Sequence, residues 1–110
     1  MVRPYKLRTV GERPSHTFFK PRGVPLSSLL RVELKLDELE ALRLADIDGL
    51  YHEDAAKKMG VSRQTFDRIL INAHRSIADA LVNGKAIFIK GGDVAFGPEE
   101  GQGISRKKSG

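Results

Sequence analysis

Ser62, Arg63, Gln64, Thr65 and Arg68 are the side chains whose types and spacing point most directly to a chemistry. Arginine can pair bidentately with guanine and glutamine with adenine, while serine and threonine hydroxyls can serve bases or phosphates. Placed in the first turns of one helix, these groups form a set suited to base edges in a major groove. Lys57 and Lys58, just upstream, are candidates for phosphate contacts, as are Arg3, Lys6 and Arg8 near the N-terminus.

Other chemistries lack their residues. His16, His52 and His74 are far apart and show no ligand spacing, and His52 and His74 read as surface histidines. The chain has no cysteine, so disulfides and thiolate metal sites are excluded, and a reducing cytoplasm is the natural compartment. Asp37 and Glu40 could be taken for an acid–base pair, but their spacing is that of a helix-capping box. No phosphate-binding loop, nucleophile elbow or glycine-rich nucleotide fingerprint is present, and Gly91-Gly92 lacks a downstream helix. We expect no enzyme, no metal and no cofactor.

The base-reading set must be held by the elements around it. Residues 52–71 read as a helix, a tight turn and a second helix. Ala55, Ala56 and Met59 give the first helix, from near Tyr51 to Met59, one small apolar face. Gly60 stands where a helix end needs a left-handed residue, Val61 can plug the corner, and Ser62 is a good N-cap. Phe66, Ile69 and Leu70 give the second helix a buried face, continued by Ala73, Ile77, Ala80 and Leu81 to a stop at Asn83-Gly84. From Arg63 to Asn83 that helix would be about 31 Å long, so only its first turns fit a groove about 12 Å wide. The distal half must pack on the helix at Asp37–Ile47 or on a second subunit. An ordinary helical hairpin shares the glycine turn and the buried faces; the polar set at the start of the second helix favours DNA.

The 110-residue chain carries a net charge of +5 and has a sequence pI near 9.7. Residues 1–25 alone account for +5, with six Lys/Arg against Glu12, whereas residues 26–50 sum to −3. Four of the five prolines also fall in residues 1–25, which read as an extended basic arm, anchored to the core by Phe18-Phe19. Such asymmetry suits a polyanionic partner, although a solvated tail would have the same composition. No apolar run approaches the roughly 20 residues that span a bilayer, and the N-terminus does not read as a secretory signal.

Leu26–Leu30 reads as a helical turn opened by Pro25, and Val32–Leu36 alternates like a half-buried strand. Asp37 should cap a helix to Ile47, with Glu40 reaching back and Leu39, Leu42, Ala45 and Ile47 buried. Asp48-Gly49 forms the next turn. Lys85–Lys90 is a short β-prone run that can pair with Val32–Leu36 as a two-stranded ribbon, and residues 93–110 read as a disordered tail. The fold class is mainly α: a three- to four-helix helix-turn-helix domain over 26–92, with a short β-ribbon and an extended basic N-terminal arm at 1–25.

The stretches FKPRGVPL at 19–26, LDELEALRLADIDGLYHEDAAKKMGVSRQTFDRIL at 36–70 and ADALVNGKAIFIKGG at 78–92 resemble the prokaryotic "domain of unknown function 134" proteins. The resemblance covers most of residues 3–92. It implies a small DNA-binding domain whose helix-turn-helix is similar to sigma-factor region 4. Relatives in that family often carry cysteine near the position of Leu7; this chain has none, which argues against a metal or redox role for its arm.

Three functions follow. The first is sequence-specific double-stranded DNA binding by a transcriptional regulator, acting as a monomer or homodimer. The second is a protein-interaction module docking on RNA polymerase or another regulator through the acidic helix at Asp37–Asp48. RNA binding is a third, disfavoured by the scarcity of aromatics for stacking.

Overall fold

The computed structural model describes residues 7–92 and 94–96. Its centre is α3 (Arg63–Asn83), against which α1 (Leu36–Leu42) and α2 (His52–Met59) pack. Among the described residues there are also five short strands: β1 (Arg8–Val10), β2 (Phe18–Phe19), β3 (Arg31–Leu34), β4 (Ala86–Ile89) and β5 (Val94–Phe96). Pro25 precedes a 3₁₀ turn at Leu26–Ser28, as its fixed φ favours.

Two apolar clusters meet along α3. Ala41, Leu44, Ala55, Ala56, Met59, Phe66, Ile69 and Leu70 form the larger, between the three helices. Leu34, Ala73 and Ile89 form the smaller, between α3 and the sheet, with Ile77 and Ile87 against it. The three- and four-residue spacing along α3 thus serves both clusters in turn. Leu81 departs from the expected stripe: it is 74% exposed, because Ala80 is the residue that faces inward at the last turn.

The ribbon has three strands rather than two. β4 pairs in parallel with β3, Val32 opposite Ile87 and Leu34 opposite Ile89, the connection running through all three helices. β2 adds antiparallel to the other edge of β4, with Phe18 opposite Phe88 and their ring centroids 4.7 Å apart. Phe18-Phe19 therefore anchors the N-terminal segment by backbone pairing and ring contact. β1 pairs in parallel with β5, which places Val94–Phe96, expected in the disordered tail, in a second small sheet. Val10 of β1 is buried. The N-terminal segment from Arg8 is thus partly built into the fold, and the rest of the expected tail lies outside the described residues.

The helix expected over Asp37–Ile47 differs in two ways. Its N-cap is Lys35, whose N–H donates to Glu38 Oε1 at 3.0 Å, while Asp37 Oδ1 accepts from the Glu38 N–H. Glu40 does not reach back; its carboxylate accepts from the Gly11 N–H and from Arg43. After Leu42 the backbone widens into a π-helical turn, Arg43–Ile47, in which the Asp48 N–H donates to the Arg43 carbonyl. The extra residue per turn rotates the following side chains. Ala41 and Leu44 take the buried positions, Leu39, Leu42 and Ala45 are half-buried, and Ile47, expected inside, is 79% exposed.

Candidate nucleic-acid interface

α2 and α3 meet at a corner whose shape follows from Gly60 and Ser62. Gly60 takes φ 71°, a left-handed conformation that costs a residue with a Cβ about 1–2 kcal/mol. Its N–H and that of Val61 satisfy carbonyls at the end of α2, Val61 donating to the Ala56 carbonyl at 3.0 Å. Ser62 then caps α3, its hydroxyl accepting from the Thr65 N–H at 3.1 Å and donating to Thr65 Oγ1 at 3.0 Å. Ser62 and Thr65, both placed in the base-reading set by sequence, thus use their side chains to start the helix.

The other members of that set are left to solvent. Arg63, Gln64 and Arg68 are exposed. Gln64 and Arg68 lie one turn apart on the side of α3 opposite Phe66, Ile69 and Ala73. The same outward line continues at three- and four-residue steps through Ile71, 56% exposed, and Arg75. Sequence reasoning missed both as candidate contacts; the 64, 68, 71, 75 spacing was the available signal. Lys57 and Lys58 are exposed on the last turn of α2, where positive charge suits the helix dipole.

Arg63 lies to the side, facing α2. Its Nε is 3.8 Å from Oδ2 of Asp67, whose Oδ1 lies 2.8 Å from Nδ1 of His52. His52 is half-buried, its side chain still 39% exposed, and its ring lies 5.3 Å from that of Phe66. His74 is exposed as expected and meets Asp46 at 2.7 Å. Leu50, Tyr51, His52, Glu53, Asp54 and Arg63 line an open groove of about 470 Å³ between the starts of α2 and α3.

The N-terminal cations are not all available for a partner. Arg8 is half-buried, with Nε 3.8 Å from Asp37 Oδ2, an ion pair that draws its side chain towards the start of α1. Arg3 and Lys6 lie outside the described residues.

The protein-family model described as "Protein of unknown function DUF134" matches residues 1–96. The chain belongs to this family. It is 54% identical over 100 residues to a UPF0251 protein of Desulfosudis oleivorans, covering 90% of this chain and 72% of that one. A UPF0251 protein of Chlorobaculum tepidum is 56% identical over 84% of this chain and 60% of its own length. One from Caldanaerobacter subterraneus subsp. tengcongensis is 52% identical over 94% of this chain and 87% of its own. The chain thus spans about six-tenths of the Chlorobaculum protein and most of the Caldanaerobacter one. No solved structure matches it. Among the described residues no helix is long and apolar enough to cross a membrane.

Proposed function

We propose that this DUF134 member is a cytoplasmic, sequence-specific double-stranded DNA-binding protein, a transcriptional regulator that reads the major groove with the start of α3. The observation that carries the reading is the outward line of Gln64 and Arg68, beside Arg63, on a helix whose opposite face is locked into the core. A helix presented in this way, one tight turn after a shorter helix, supports reading the pair as a helix-turn-helix. Arg63 and Arg68 offer bidentate donors for guanine, Gln64 can pair with adenine, and Ile71 offers an apolar contact for a thymine methyl. Lys57 and Lys58 supply phosphate contacts, with Arg3 and Lys6 adding charge that does not depend on sequence. Selection of random duplexes on the purified chain tests the reading.

A second reading is favoured by a separate observation. Ile47 and Tyr51 are exposed large side chains next to the carboxylates of Asp46 and Asp48. A mixed apolar and acidic patch suits a protein partner, such as RNA polymerase or another regulator. At the far end of α3, exposed Leu81 and Val82 would suit a homodimer. This reading predicts a protein partner retained after nuclease treatment, with sequence-blind DNA affinity.

A further inference from the structure

We infer that Asp67 is a positioning residue that sets how strictly Arg63 chooses its base; the inference rests on the proposed DNA reading by α3. Asp67 follows Arg63 by one helical turn, and its two carboxylate oxygens are divided between two neighbours. Oδ1 lies 2.8 Å from His52 Nδ1, and Oδ2 lies 3.8 Å from Arg63 Nε. His52 is itself held against the ring of Phe66, which is fully buried at the heart of the larger cluster. The carboxylate is therefore fixed from the α2 side and leaves one oxygen for the arginine.

The consequence for recognition follows from which guanidinium edge is used. Bidentate pairing with guanine needs two N–H groups in a fixed plane. Arg63 is 62% exposed on its side chain and would otherwise sample many rotamers, able to reach phosphates or several base edges. A carboxylate 3.8 Å from Nε biases the side chain by ionic attraction without taking up a terminal N–H in a hydrogen bond. The same negative charge repels the phosphate backbone on every sequence. Asp67 thus strengthens discrimination at one base pair and weakens general affinity, two effects of opposite sign. A purely structural residue would not separate them, because loss of fold lowers both.

The test compares base preference for the wild type, Arg63→Ala, Asp67→Asn and the double variant by quantitative selection on random duplexes. Asn in place of Asp67 keeps an oxygen that can accept from His52 and removes the charge facing Arg63, and thermal melts check that each variant is folded. Arg63→Ala should relax one base-pair position. Asp67→Asn should relax the same position roughly two- to fivefold, as an exposed ion pair allows. It should also raise affinity for unrelated duplex, and in the Arg63→Ala background it should add nothing at that position. If Arg63→Ala relaxes a position and Asp67→Asn does not, or relaxes it equally without Arg63, the positioning role is overturned while the DNA reading stands. If Arg63→Ala changes no position, the role is overturned together with the assignment of Arg63 as a reader.

Discussion

The backbone N–H of Gly11 donates to Oε2 of Glu40 at 3.2 Å, tying the segment after β1 to the side of α1. Residues from Arg8 belong to the folded body, where Val10 is buried against the helices and pairs with Phe96.

Removing that segment should cost stability. Val10→Ala deletes two buried methyl groups and should lower unfolding free energy by about 1.5–3 kcal/mol. A chain starting at residue 14 also lacks β1 and the hydrogen bond to Glu40, and should melt below the Val10→Ala variant. Urea unfolding measures both; unchanged midpoints would show that β1 contributes nothing.

Phosphate-binding charges are better tested by point changes that spare the fold. Arg3→Ala with Lys6→Ala, and separately Lys57→Ala with Lys58→Ala, should weaken binding to every duplex alike. The slope of log affinity against log salt should flatten by roughly 0.9 for each phosphate that is no longer neutralised. A slope unmoved by either pair would remove those lysines and arginines from the interface.

Ser62 separates capping from reading. Ser62→Ala should destabilise the chain by about 1 kcal/mol and Ser62→Gly by only a few tenths, following the cap preference. The selected DNA motif should stay the same for both. A changed base at one position, with normal stability, would return Ser62 to the reading set.

Glu38 gives a pH test with a defined sign. Burial raises its pKa above the ordinary 4.5, partly offset by the hydrogen bond from the Lys35 N–H. The fold therefore holds a proton that the unfolded chain releases just above that value, and this contribution to stability is lost as pH rises through the folded pKa. Glu38→Gln keeps the acceptor and removes the titration. Relative to wild type, the variant should gain stability between about pH 4 and pH 7. Unfolding curves at both pH values check the direction, and a relative loss at pH 7 would reverse the assignment.

How much of this was legible in the sequence depended on how local each cause was. Gly60, Ser62 and the spacing of Phe66, Ile69 and Leu70 act within a few residues of themselves, and the α2–α3 corner formed as their types require. The π-helical turn did not announce itself. It is accompanied by Arg43 lying between Glu40 and Asp48 and by the Leu50 N–H reaching the Leu44 carbonyl, neither of which alters the apolar spacing. Strands as short as β1, β2 and β5 carry almost no period, and their pairings join opposite ends of the chain. For the candidate site, the outward residue types and the Ser62 cap were readable, whereas the Ser62 hydroxyl's donation to Thr65 and the His52–Asp67–Arg63 chain, which joins two helices, leave no mark on the local pattern.

Whether the exposed line on α3 reads base sequence is tested most directly by selection from random double-stranded DNA at near-physiological salt. Wild type and the Gln64→Ala/Arg68→Ala variant are run side by side. The wild type should enrich a motif, palindromic if two copies bind, and the variant should lose about 1–3 kcal/mol of discrimination at each position whose reader is removed. No enrichment for the wild type, with only salt-sensitive binding, would contradict base reading by α3 and leave the Ile47–Tyr51 surface as the one to pursue.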